Sequence, residues 1–139
     1  MDRAGRTALH YAAANNQLET LKLLIKHEAR MKDNFGMTAL VTAVVNNSLS
    51  CIPLLVTAEA GMQNKSGETA FSVAAQLGRI QCLELLKLEA GLTDNWGVSA
   101  YHACKQMNQT KSRNWFRLPE NADILRLEKE GRKYKVGSV

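Results

Sequence analysis

The sequence predicts an all-α solenoid of four helix-turn-helix repeats. One twelve-residue stretch is written four times, as DRAGRTALHYAA from Asp2, DNFGMTALVTAV from Asp33, NKSGETAFSVAA from Asn64 and DNWGVSAYHACK from Asp94. Its glycines recur at nearly equal intervals, at Gly5, Gly36, Gly67 and Gly97. A period of roughly 31 residues indicates stacked units, each of which buries its apolar face only against its neighbours.

The first helix of each repeat follows its glycine. A hydroxyl two residues after each glycine can accept from the N–H groups that open a helix, at Thr7, Thr38, Thr69 and Ser99. Short apolar residues then recur at spacings of one, three and four, which places them on one helix face. Each helix is predicted to end at the same offset from its glycine, where the residue types tolerate a left-handed backbone, at Asn16, Asn47, Gly78 and Asn108.

A second helix is predicted to begin at Leu18, Leu49 and Ile80 in the first three repeats. Pro53 then falls in a first helical turn, where its missing N–H costs little. Ala-Gly pairs at 60–61 and 90–91 supply a glycine just after the helix end. The first repeat has Arg30 at that place, which predicts local strain or a looser turn.

Composition and residue types favour a non-catalytic protein. The chain has an ordinary hydrophobic content of 45%, and no apolar run approaches the length of a membrane span. Glycines occur singly, and no nucleophile lies near a base, so we expect no enzyme activity, cofactor, metal or small-molecule substrate. The three cysteines occupy positions of small core residues, which predicts free buried thiols in a reducing, cytoplasmic compartment.

These motifs resemble the ankyrin repeat. The resemblance rests on the turn D-x-x-G-x-T-A-L-H, the helix end A-A-x-x-N, and the helix L-x-x-L-x-L-L closed by E-A-G, over residues 2–108 and a modified half repeat to 131. Alanine replaces the family's usual proline after each Thr or Ser, and each unit is about two residues short. The resemblance therefore implies short turn fingers. Similar shortened arrays occur in some protist proteins, alone or fused to never-in-mitosis-type kinases.

The predicted ankyrin-repeat domain covers 1–131, with repeats at about 2–32, 33–63, 64–93 and 94–131 and a basic tail at 132–139. Aligning Leu125 with Leu83 predicts an insertion of twelve residues near 109–121 in the fourth repeat. That alignment puts Glu128 where Leu86 lies in the third repeat, as a polar face of a terminal cap. Nothing covers the first repeat, so we expect a longer array or self-association through that face.

The resemblance implies a protein partner on a concave surface formed by the turns and the ends of the first helices. We expect hot-spot anchors at Phe35 and Trp96, with Met37 and Val98 nearby. The alternative is that both aromatics fold down to cover their own repeats. The other predicted contact residues are Arg3, Arg6, Ala14, Asn15, Asn34, Val45, Asn46, Lys65, Ser66, Glu68, Gln76, Leu77, Asn95, Gln106 and Met107.

Two other functions remain open at this stage. The chain could be the targeting or regulatory arm of a kinase, although it carries no kinase motif itself. The excess positive charge lies entirely in residues 105–139, where basic residues alternate with aromatics at Lys111, Arg113, Trp115, Phe116 and Arg117. Such a segment could bind nucleic acid weakly. The structural alternative, which we favour, is that Trp115, Phe116 and Leu118 close the end of the array.

Overall fold

The computed structural model describes residues 1–130, and within them the chain forms nine α-helices and two 3-10 helices. The helices that open the repeats pack side by side, as do the helices that follow them. This confirms the predicted all-α solenoid of four repeats. Residues 131–139, which include the predicted basic tail, lie outside the described part. The α-helices are α1 Ala8–Ala14, α2 Leu18–Glu28, α3 Ala39–Val45, α4 Ile52–Glu59, α5 Ala70–Leu77, α6 Ile80–Leu85, α7 Ala100–Gln106, α8 Thr110–Phe116 and α9 Ala122–Glu130.

The predicted start and stop residues act as expected. Each hydroxyl two after the glycine accepts the N–H three residues later, as Thr38 does from Val41 and Thr69 from Ser72. The four residues predicted to end the first helices all have positive φ, from 54° at Asn16 to 71° at Gly78. Arg30 also has a positive φ of 71°, which bears out the expected strain at that place.

Small residues let the helices approach closely. The alanine that opens the first helix is buried in the last three repeats, at Ala39, Ala70 and Ala100.

All three cysteines are free and buried, as expected. Burial raises the pKa of the Cys82 thiol to about 11, and burial does the same for the pKa of Cys104.

Two predicted boundaries are wrong. Helix α4 begins at Ile52 instead of Leu49, because Cys51 and the residues before it form turns and Pro53 lies in the first helical turn. In the fourth repeat, α8 begins at Thr110, at the same offset from Gly97 as the start of α6, Ile80, has from Gly67. The start of the predicted insertion near 109–121 is therefore an ordinary second helix.

The extra residues of the fourth repeat follow α8 and lead into α9. The interval from Gly97 to Glu128 is nine residues longer than the interval from Gly67 to Glu89, so the insertion is nine residues and not twelve. Glu128 takes the place of Glu89, since each accepts the N–H of the residue four after its glycine. It is buried, so the predicted polar capping role for Glu128 is wrong.

The aromatic residues of the fourth repeat pack into the core. Trp115 and Phe116 are buried. The ring centre of Phe71 in the third repeat lies 6.1 Å from that of Trp115 and 5.7 Å from that of Phe116. The indole N–H of Trp115 donates to Glu84 at 2.6 Å. Both aromatics therefore close the end of the array, as favoured, whereas Leu118 remains exposed.

Carboxylates join each repeat to the one before it. The inter-repeat glutamates (Glu28, Glu59, Glu89 and Glu128) each accept the N–H of the residue four after the glycine of their own repeat. Glu28 and Glu59 end α2 and α4, Glu89 lies in the 3-10 helix that follows α6, and Glu128 lies in α9. Oε1 of Glu59 accepts from the N–H of Leu40 in its own repeat, at 2.9 Å. Oε2 accepts from the N–H of Arg30 in the preceding repeat, at 2.8 Å. Glu89 and Glu128 repeat the arrangement with Gly61 and Gly91. Burial raises the pKa of the Glu59 carboxyl.

Candidate functional site

Each turn tip, meaning the residues around the repeat's glycine, is shaped by its own carboxylate or amide. Oδ1 of Asp33 accepts the backbone N–H groups of Phe35 and Met37, both at 2.9 Å. Oδ1 of Asp94 does the same for Trp96 and Val98. These bonds use the backbone of the aromatic residues and leave their side chains outside. Phe35 is 66% exposed and Trp96 75% exposed, so neither side chain covers its own repeat.

Neighbouring tips are fastened to each other by amides. The side chain of Asn34 donates to the carbonyl of Arg3 at 2.8 Å, and that of Asn95 donates to the carbonyl of Lys65 at 2.8 Å. The next tip lies so close that a methyl group on Gly67 would lie 2.5 Å from the backbone nitrogen of Asn95. Asn34 and Asn95 therefore join neighbouring tips, and their role as partner contacts stays a prediction.

Five of the predicted contact residues line one groove between the first and second repeats. Phe35 and Met37 come from the second tip, and Val45 and Asn46 from the end of α3. The groove has a volume of about 270 Å³ and is mostly apolar. Arg6, which was also predicted, forms part of its rim. The lining is completed by Ala4, Asp33 and Thr42.

The remaining predicted residues lie outside this groove. Gln76 donates to Glu68 at 2.6 Å, so these two polar groups already satisfy one another. The amide of Asn15 donates to the carbonyl of Tyr11. Ala14, Ser66 and Val98 are partly buried. The exposed ones are Arg3, Asn15, Asn34, Lys65, Leu77, Asn95, Trp96, Gln106 and Met107.

Sequence reasoning missed Tyr11, which is exposed on α1. Its hydroxyl donates to Oδ2 of Asp2, and the guanidinium of Arg6 lies 5.5 Å from its ring centre. The hydrogen bond from Tyr11 holds the pKa of Asp2 at about 2. The sequence contained a signal for this position. Tyr11 is six residues after Gly5, just as Thr42, which lines the groove, is six residues after Gly36.

The acidic and basic residues of this surface are used differently. Asp2, Asp33 and Asp94 each accept backbone N–H groups of their own turns. The basic side chains of Arg3 and Lys65 are exposed and make no hydrogen bond or ion pair with residues 1–130. Each carboxylate thus holds its own turn through at least one oxygen, while these two cations remain available to a partner.

The histidines fit a structural role. Nδ1 of His10 accepts from the backbone N–H of Thr7 at 3.1 Å, which leaves Nε2 to donate to the carbonyl of Met37 at 2.9 Å. Nδ1 of His102 is hydrogen-bonded to the hydroxyl of Ser99 at 2.7 Å, within its own turn. The part of the chain that the structure describes contains no group of three metal-ligating side chains. None of its helices is long and apolar enough to cross a bilayer.

The predicted nucleic-acid segment offers no stacking platform in the described residues. Binding of single strands relies on exposed aromatic faces between basic residues. Trp115 and Phe116 are instead buried, while Lys111 and Arg117 remain exposed. The cations alone could attract phosphates, but the aromatic half of that hypothesis lies in the core.

Comparison with known proteins agrees with this geometry. A sequence model of the family described as ankyrin repeats (3 copies) matches residues 1–61, which span the first two repeats. A comparison with curated proteins found no matching sequence. The third and fourth repeats reproduce the same turn, the same helix pair and the same inter-repeat glutamate. Residues 1–61 are therefore similar to ankyrin repeats, and the described residues that follow them share the same architecture.

Proposed function

We propose that the protein is a non-catalytic scaffold or adaptor that binds a protein partner through its turn tips and the concave face beside them. Ankyrin repeats generally mediate protein–protein interaction. The observation that carries the proposal is the exposure of Phe35 and Trp96, at 66% and 75%, on turns held outward by their own carboxylates. Neither side chain contributes to the core, so folding alone gives no reason for an aromatic residue at either tip.

The energetic argument follows from the size of these side chains. Burying an exposed Phe or a similar large side chain contributes about 1.5–3 kcal/mol. Two such anchors on a rigid array, surrounded by polar tip residues, have the composition of a binding hot spot. The free buried thiols support a cytoplasmic location, where cysteines stay reduced.

The test compares two double variants. The Phe35→Ala/Trp96→Ala protein is immobilised, and the proteins it captures are quantified by mass spectrometry. A matched control, Leu85→Ala/Leu118→Ala, removes exposed apolar side chains from other parts of the surface. We expect the first variant to weaken capture by more than about 2 kcal/mol, with little change in melting, and the control to bind normally. Unchanged capture, or a large loss of stability in the first variant, would contradict the proposal.

A second candidate is self-association through α1 and α2 of the first repeat. Ala8 is exposed, although its counterparts Ala39, Ala70 and Ala100 are buried by a preceding repeat. Leu23 is 78% exposed on the same repeat. Sedimentation velocity over a range of concentrations tests this. Self-association predicts a larger species at high concentration that Leu23→Arg abolishes, and a monomer at every concentration would contradict it.

A further inference from the structure

We propose that the groove between the first and second repeats takes one bulky apolar side chain from an acidic segment of the partner. This inference rests on the proposed function and assigns the chemistry of one part of the surface. The groove is lined by Phe35, Met37 and Val45, with Arg6 and Asp33 at polar positions of its wall.

The size of the groove fits a single large side chain. Its volume is about 270 Å³, and a dry apolar cavity of about 150 Å³ is already enough to hold a benzene ring. Phe35 and Val45 are among the large apolar side chains that remain exposed in residues 1–130. A branched aliphatic or aromatic side chain placed here would cover both, and covering them supplies the favourable free energy.

The polar groups of the groove suit an extended peptide. Nε of Arg6, on the first tip, donates to Asp2 at 3.1 Å, and its other N–H groups can donate to a carbonyl or carboxylate of the partner. Asp33 holds the N–H groups of Phe35 and Met37 through Oδ1 alone, so its second oxygen can accept a peptide N–H. A donor and an acceptor on either side of an apolar floor match the alternation of groups along a peptide backbone.

The surrounding charges favour acidic residues next to the anchor. Arg3 and Lys65 flank the groove on the first and third tips, are exposed, and have no ion pair within the described residues. The nearby carboxylates of Asp2 and Asp33 are hydrogen-bonded to their own turns. An acidic partner would therefore gain attraction without displacing an existing ion pair of Arg3 or Lys65, and this attraction weakens as salt is added.

The experiment uses a short synthetic peptide with a single leucine flanked by glutamates. It is titrated to millimolar concentration into the isotopically labelled protein, and amide chemical shifts are followed by NMR. We expect shifts at Arg6, Phe35, Met37 and Val45. A peptide with alanine in place of leucine should bind about 10-fold more weakly, since it loses the anchor. A peptide with glutamine in place of glutamate should bind a few-fold more weakly at low salt and equally at high salt.

The matched variants are Val45→Glu and Leu85→Glu. Both introduce the same charge at the exposed last residue of a helix, but only Val45 lines the groove. We expect Val45→Glu to abolish the shifts while its spectrum remains that of a folded protein, and Leu85→Glu to bind as the wild type. This assignment would be overturned by shifts of equal size with the leucine and alanine peptides, or by shifts that appear only around Leu77 and Met107. Either result would leave the proposed function standing. Loss of partner capture in the tip variants with no peptide binding would likewise overturn only the assignment.

Discussion

Equivalent residues of the first repeat and of the later repeats differ in burial because only the later ones have a preceding neighbour in this chain. Thr20 is exposed, whereas its counterparts Cys51 and Cys82 are buried. Glu28 uses one carboxylate oxygen for Leu9, and no hydrogen bond from residues 1–130 reaches the other, whereas Glu59 uses both. The difference shows that burial at these positions comes from the adjacent unit, as expected for a one-dimensional array.

The same comparison separates stability from binding. Residues that face a neighbouring repeat are bonded to it, as Asn34, Glu59 and His10 are. Phe35, beside Asn34 in the same turn, keeps its side chain exposed. Substitutions at residues that bond a neighbouring repeat should therefore alter the free energy of unfolding, and substitutions at Phe35 should alter partner binding.

The largest difference is expected between Gly67→Ala and Gly97→Ala. Both glycines have a φ near 80°, which costs an alanine about 1–2 kcal/mol. At Gly67 the new methyl would also collide with Asn95 of the next tip, whereas nothing lies within 4 Å of the same position on Gly97. We expect unfolding free energies to fall by about 3 kcal/mol for Gly67→Ala and about 1 kcal/mol for Gly97→Ala, measured by urea denaturation. Equal losses would show that the tips are not in close contact.

A somewhat smaller difference is expected between Glu59→Gln and Glu28→Gln. The amide of a glutamine can satisfy only one of the two N–H groups that Glu59 binds, and its NH₂ faces the other. This should cost about 2 kcal/mol. At Glu28 the amide oxygen can keep the bond to Leu9 while the NH₂ faces the uncovered side, so we expect less than about 0.5 kcal/mol. Similar costs at both positions would contradict the role given to the preceding repeat.

The smallest effect concerns thiol reactivity and leaves stability nearly unchanged. A pKa raised to about 11 lowers the thiolate fraction of Cys82 and Cys104 at pH 8 to roughly one in a thousand, against about one in ten at the usual pKa of 9.0. Iodoacetamide should therefore alkylate Cys82 and Cys104 of the native protein at least about 100-fold more slowly than the same thiols of the unfolded chain. A thiol introduced by Thr20→Cys should react at the ordinary rate, as read by intact mass. Fast labelling of Cys51 in the native protein would contradict the comparison.

The sequence was sufficient to predict the repeat, its helices and its stop residues, because each depends on local backbone chemistry. Gly5, Thr7 and Asn16 act within a few residues of their own positions. It was misleading in the fourth repeat, where apolar periodicity alone aligned Leu125 with Leu83. The glutamate in the last helix of each repeat was a better guide, since Glu128 and Glu89 make equivalent bonds to their own repeat and to the preceding one.

The candidate surface was only partly predictable. The tips of Phe35 and Trp96 follow from the turn motif, but the groove depends on how two repeats approach each other. Arg6 and Val45 belong to different repeats and meet only because α1 and α3 pack side by side. For the same reason, the sequence could not show that Asn34 is committed to the preceding tip.

Native-state hydrogen exchange tests the inter-repeat bonds most directly. The N–H groups of Arg30, Gly61 and Gly91 follow helix ends, where free N–H groups exchange quickly with solvent. In this protein each of them donates to a glutamate carboxylate of the next repeat, which should slow its exchange. We predict that these three amides exchange only when the adjacent repeats unfold, and that Glu59→Gln selectively releases the amide of Arg30. Exchange of all three at the rate of an exposed turn in the wild-type protein would contradict this account of how the repeats are held together.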